Sequence, residues 1–269
     1  MKRRMGICAK LYLALVLVLM YLPMAIVVLY SFNANAGRFP NEFTGFSLQY
    51  YEALLKDTKG LLEALGSSLI LAALSCGAAM VLGTLGAIGM VKKKFRLHGL
   101  FDTVTVLPVM IPEIILGVAF LMLFTAAGLK LGMGTLVLAH ITFCTPYVYM
   151  LVKGRLAGMD DTLEAASRDL GASPMQTFVH VVLPQILPGI LSGTMLAFAM
   201  SMDDFVISFF VTGSNINTLP LKVYSSVKTG VSLQVNALST LMMAAAFVIM
   251  GAGLFKPAKK NKNKMEVSQ

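Results

Sequence analysis

The chain has no tryptophan, three cysteines and few charges, with only 13% of its 269 residues being Asp, Glu, Lys or Arg. Soluble domains carry about 25% charged residues, and 57% of this chain is hydrophobic. A soluble globular fold is excluded, and the lipid bilayer is the solvent. Cys8, Cys76 and Cys144 lie in or beside apolar runs and form no CxxC pair. That argues against a disulfide framework or a metal centre. Without tryptophan, interfacial anchoring falls to Lys/Arg and to tyrosines such as Tyr12, Tyr21 and Tyr30. No GxxxxGK[ST] phosphate loop occurs, so the chain itself is not expected to bind or hydrolyse ATP. No nucleophile–base pair or metal-ligand cluster points to an enzyme.

Apolar runs occupy about 11–32, 62–91, 101–127, 133–152, 186–212 and 237–255. Each reaches the roughly 20 residues that a spanning helix needs. The fold class predicted is all-α: one polytopic membrane domain over residues 1–269 with six transmembrane helices. The start, "MKRRMGICAK" followed by an apolar run and "ANAG", resembles a cleavable leader. Its apolar core is longer than the about 7–15 residues usual there, so a retained first helix is expected.

The net charge of +9 comes from short clusters between the spans, which reads as membrane orientation rather than nucleic-acid binding. Four Lys/Arg fall in residues 2–10, four in 92–96, three in 153–168 and five from Lys256 onward. The alternate segments hold six. The richer side is predicted to be cytoplasmic, with both termini and the basic tail 256–269 inside. Two outer segments are long enough to meet a partner. "FTGFSLQYYEALL" can form a short amphipathic helix, and Leu221, Tyr224 and Val227 share a helical face.

The longest inner loop, about 153–185, reads as two capped helices. Asp161 is expected to cap the first, with Glu164 completing a capping box. Gly171 supplies a left-handed stop. Ser173 caps the second helix, Pro174 suits its first turn, and Leu183-Pro184 is expected to close the segment.

Three carboxylates fall well inside spans, away from their ends by the straight-helix count: Glu113, Asp203 and Asp204. An ionised acid there costs at least about 2.5–3.5 kcal/mol, and no span holds Lys or Arg to offset it. Counted along straight helices, Glu113 and Asp203 reach similar depths, with Pro108 and Pro112 kinking the third span. A mobile cation is therefore the expected partner. Tyr147 and Tyr149 are candidate lining residues through cation–π contact. Adjacent residues point about 100° apart on a helix, so Asp203 and Asp204 are expected to play different parts. One faces the pathway, and the other meets a partner subunit or a backbone break. His140 is read as a packed, hydrogen-bonded residue.

Glu164-Ala165-Ala166, Gly171, Val181 and Leu183-Pro184 resemble the EAA loop of ABC importer permeases. That pattern reads E-A-A, three residues, Gly, nine residues, Ile, one residue, Leu-Pro, and every fixed position is taken as matched except the Ile. Val181 stands at the Ile position. The stretches "HITFCTPYVYM", "EAASRDLGAS", "SMDDFVISFFVTG" and "LPLKVYSSVKTGVS" are similar to the spermidine/putrescine permeases. The resemblance implies the transmembrane domain of a type I (MetI-like) importer. It also implies a second homologous permease, two copies of a cytoplasmic ABC ATPase and an extracytoplasmic polyamine-binding protein. ATP and Mg would reside on the ATPase, which would dock on the loop. A permease for another cationic solute is an alternative. A cation-coupled secondary transporter is a weaker one, since it needs no docking loop.

Overall fold

The computed structural model describes residues 6–35, 42–57, 60–92, 96–214, 216–229 and 233–254. The helices are α1 (Ile7–Ser31), α2 (Gln49–Leu55), α3 (Leu61–Lys92), α4 (His98–Met110), α5 (Glu113–Ala126), α6 (Met133–Ala157), α7 (Asp161–Asp169), α8 (Pro174–Thr177), α9 (Leu183–Asp203), α10 (Val206–Val211), α11 (Leu219–Thr229) and α12 (Leu233–Leu254). The basic tail predicted at 256–269 lies outside the described residues. Two compact units emerge, one joining Met1–Leu62 to Ser226–Gln269 and the other running from Glu63 to Ser225.

In the first unit α1 and α2 pack against α12. The chain leaving α1 folds back on it through Asn33, which is fully buried. Its Oδ1 accepts from the amides of Asn35 and Thr44, and its Nδ2 donates to the Glu42 carbonyl. Ser31 and Tyr51 share a hydrogen bond of 2.7 Å, and Phe32 packs on the Tyr51 ring. Of the segment 43–55 expected to form an amphipathic helix, only Gln49–Leu55 is helical, as α2.

The second unit is built on α6. Its face from Leu136 through Val148 to Val152 is fully buried, and α9 packs along it. Close approach depends on glycine. A Cβ at Gly193 would meet the Val148 Cα at 2.8 Å, and one at Gly83 of α3 would meet the Val148 Cβ at the same distance. Val148 is thus gripped from two sides, and backbones approach as they do at small-residue contacts in membranes.

The third and fifth spans are not single helices. Ile111 precedes proline and is extended (φ −81°, ψ 134°), as that position favours. The chain turns by 107° between α4 and α5. The expected kink is there, but the straight-helix depth assigned to Glu113 does not hold. The predicted span 186–212 stops at Asp203, and Asp204 leaves the helix (φ −64°, ψ 117°) before α10 begins.

Leu183-Pro184 does not end the loop. The helix from Pro174 runs on into α9 as one 30-residue apolar stretch. A π-helical turn at Phe178–Val182 directly precedes Leu183-Pro184, and the Leu183 amide donates to the Phe178 carbonyl. A proline ring clashes with the carbonyl four residues back in a regular helix; a wider turn at that place relieves it. Among the described residues, four helices are long and apolar enough to cross a membrane, five if the bent pair is one span. A shorter apolar stretch lies in α12 at Leu233–Val248. Six spans are compatible with this set.

Candidate functional site

The break after α9 separates the two adjacent acids. Asp204 is 7% exposed, and its carboxylate turns back to cap α10. Oδ1 accepts from the Ile207 amide at 3.1 Å. Oδ2 accepts from the Ser208 amide at 2.8 Å and from Ser208 Oγ at 2.7 Å. His140 is 0% exposed. Its Nδ1 lies 2.8 Å from Ser201 Oγ, and its Nε2 lies 3.2 Å from Ser208 Oγ and 3.4 Å from Asp204 Oδ2. Since the Ser208 hydroxyl donates to Asp204, it accepts from Nε2–H. The network thus assigns a proton to Nε2.

This settles which acid the backbone break uses. Asp204 is compensated inside the chain by two amides, a hydroxyl and an imidazole. It needs no mobile cation, and it takes the backbone-break part that the sequence reading left to one of the two aspartates. Asp203 is exposed. It is the last residue of α9, where the helix dipole is negative and disfavours a second negative charge. Glu113 is also exposed and opens α5, where the dipole favours it. Glu113 lies within electrostatic reach of Asp203 and Asp204, and the half-buried Tyr147 within reach of Glu113. Packing of α10 on α5, with Phe210 seated against Gly117, holds these groups together. Among the described residues, neither Asp203 nor Glu113 forms an ion pair.

Tyr149 does not join this group. It is 1% exposed, and its hydroxyl donates to Asp102 of α4. Lys153 donates to the same Asp102 oxygen and lies 5.5 Å from the Tyr149 ring centroid. This α4–α6 cluster is absent from the sequence reading, because no local spacing links residue 102 to residues 149 and 153.

In the loop, Asp160 rather than Asp161 caps α7, accepting from the Thr162 amide at 3.0 Å. The first of the two aspartates takes the cap, so the proposed capping box with Glu164 does not form. The second helix starts as expected. Ser173 Oγ accepts from the Gln176 amide, and Gln176 Oε1 accepts from the Ser173 amide. Gly171 adopts φ +85°, the left-handed stop predicted. Ser167 and Thr177 share a hydrogen bond of 3.1 Å between the two helices. Ala165, Ala166 and Leu163 are exposed, and Leu170 is 90% exposed, so α7 presents a small, apolar surface. Val181 and Leu183 are half-buried and Pro184 is exposed.

Four residues, Ser167 to Leu170, separate Ala166 from Gly171, where the importer pattern has three. The match is therefore looser than first read. Counted from Gly171, Glu164 stands one place early, a turn of about 100° on a helix. Its carboxylate receives Lys92 Nζ at 2.8 and 3.0 Å and Arg168 Nη2 at 3.1 Å. Lys92, with Arg168 adding to it, holds the Glu164 carboxyl below the usual carboxylate range.

Residues 79–255 match the family described as binding-protein-dependent transport system inner membrane component. The chain is 38% identical over 253 residues to the putrescine transport system permease protein PotI of Escherichia coli K12, covering 91% of this chain and 89% of that protein. It is 37% identical over 243 residues to the spermidine/putrescine transport system permease protein PotC of the same strain, covering 90% and 91%. Among solved structures, a bacterial ABC transporter for import of the acidic polysaccharide alginate aligns with a TM-score of 0.71 at 14% identity, over 93% of this chain and 96% of that one. The methionine transporter MetNI aligns at 0.58 and 20% identity, over 77% and 96%. The fold is that of an ABC importer transmembrane domain, and the chain belongs to the binding-protein-dependent transport system inner membrane components.

Proposed function

We propose that the chain is the permease subunit of an ATP-driven polyamine importer, moving putrescine and/or spermidine across the cell membrane. One observation carries the substrate class. Asp203 and Glu113 are exposed acids at two helix ends, within electrostatic reach of one another, and make no ion pair among the described residues. The ends of broken membrane helices are where transporters place charged solutes. A polyamine carries ammonium groups separated by short methylene chains. It can meet two spaced carboxylates at once, with Tyr147, within reach of Glu113, offering cation–π contact. The names borne by the relatives at 37–38% identity support the same substrate.

The surrounding machinery follows from that reading. A polyamine-binding protein delivers solute to the outer face, and a second homologous permease completes the pathway. Two copies of an ABC ATPase dock from the cytoplasm on the loop Glu164–Pro184. ATP binding opens the membrane subunits outward, and hydrolysis returns them inward. No covalent chemistry falls to this chain. Both termini face the cytoplasm.

Uptake of radiolabelled putrescine and spermidine by vesicles holding the assembled complex tests this. ATP-dependent accumulation is expected, with a large loss in Asp203→Asn and Glu113→Gln. Wild-type transport by both variants would remove the basis for a cationic pathway.

A further inference from the structure

The loop that meets the ATPase has a second connection to the membrane helices, and it is ionic. The first connection is covalent: α8 runs through the π-helical turn into α9 without a break. By contrast, α7 packs on α8 and on that turn, its neighbours in sequence. Its Glu164 carboxylate, however, is held by Lys92, 72 residues away at the cytoplasmic end of α3. Both carboxylate oxygens receive the Lys92 ammonium, and Arg168, one turn further along α7, fixes Oε1 from the other side. Glu164, one place early relative to the importer pattern, is the α7 residue that meets Lys92.

We propose that Glu164 is a positioning residue that straps α7 to α3 through Lys92. The ATPase stroke then reaches α3 as well as α9. Both helices grip Val148 of α6, through Gly83 and Gly193. A displacement of α7 is therefore delivered to two helices that close on one. Without the strap, α9 alone receives it. The inference rests on the reading of this loop as the ATPase dock.

Two measurements test it on the assembled complex. The first is chemical cross-linking of Lys92→Cys to Glu164→Cys in native membranes, which reads the strap independently of any substrate. An efficient short cross-link is expected, and its absence overturns the strap. The second compares ATP hydrolysis with uptake. Lys92→Gln, outside the docking loop, should assemble with the ATPase and hydrolyse ATP at near the normal rate. Its solute uptake per ATP should fall by about fivefold or more, the usual scale of a coupling between sites. In an Arg168→Gln background, the reversal Lys92→Glu with Glu164→Lys should recover most of the loss, which a merely structural role would not predict. Normal coupling in Lys92→Gln, or no recovery in the reversal, overturns the proposal. If the wild type takes up no polyamine, the substrate reading fails. The strap is then judged by the cross-link and by stimulation of ATP hydrolysis by the loaded binding protein.

Discussion

Replacing each of the two adjacent aspartates should have opposite consequences, and the structure sets the sizes. Asp204→Ala removes the acceptor for the Ile207 amide, the Ser208 amide and Ser208 Oγ, and strips His140 of its acid. All of these groups stay buried. Deleting one partner of such a buried set costs about 3–5 kcal/mol, a large part of a typical stability of about 5–15 kcal/mol. Asp204→Asn keeps an oxygen for Ser208 and sets an amide against the Ile207 N–H, so about 1–3 kcal/mol is lost. Asp203→Asn removes an exposed charge from the unfavourable end of α9, a change worth only about 0.3–1 kcal/mol, in the stabilising direction. Thermal unfolding in detergent should rank them accordingly. Asp204→Ala should melt about 10 °C below wild type, if about 2–4 °C is lost per kcal/mol. Asp204→Asn should lie between, and Asp203→Asn should match wild type. Uptake normalised to folded complex should be lost in Asp203→Asn, the most stable of the three. Equal melting of Asp203→Ala and Asp204→Ala would refute the division of roles.

Three further outcomes are expected. Gly193→Ala sets a methyl 2.8 Å from the Val148 Cα and should cost about 1–3 kcal/mol as overpacking, while Gly154→Ala on α6, with no atom within 4 Å of its Cβ, should leave melting unchanged. Gly171 holds φ +85°, so Gly171→Ala should destabilise the loop by about 1–2 kcal/mol, measured as increased proteolysis between α7 and α8. Gly171→Asn should be milder, because asparagine tolerates that conformation. Lys92 favours the charged form of Glu164, so the strap is fully present above the ordinary carboxylate range and is lost as pH falls through the lowered value. The melting difference between wild type and Glu164→Gln should be constant near neutrality and vanish only in strong acid. Loss of that difference between about pH 6 and pH 8, well below the range where a lysine gives up its proton, would contradict the sign.

Legibility divided along the range of the forces involved. The apolar runs and basic clusters are local or periodic, and they mark the helices from composition alone. Gly171, Ser173 and Pro174 act on atoms within three residues, so their caps were readable. The choice of Asp160 over Asp161 was not, because both offer the same atoms one residue apart. The π-helical passage through Pro184 was missed because the packing of α9 along α6 outweighs a local rule that ends helices at proline. Lys92–Glu164 and Asp102–Tyr149–Lys153 join residues that only the fold brings together. No spacing in one sequence encodes them.

Which intramembrane acid serves the solute follows from where each helix breaks. Carboxylates are stabilised at helix N-termini and destabilised at C-termini. Glu113 opens α5 and Asp204 caps α10, so both have a local reason to be acidic. Asp203 closes α9, and it is exposed there beside the unpaired carbonyls that any helix C-terminus presents. No local term favours a negative charge at that position, and its neighbour already satisfies the backbone. An acid that the fold does not stabilise, at the joint of a broken span, is best accounted for by what passes it. Two negative sources converge at that point, the carboxylate and the helix terminus, and a cation is the species that gains from both. We therefore propose Asp203 as the primary contact for an ammonium group, with Glu113, at the end of the neighbouring broken span, as the second.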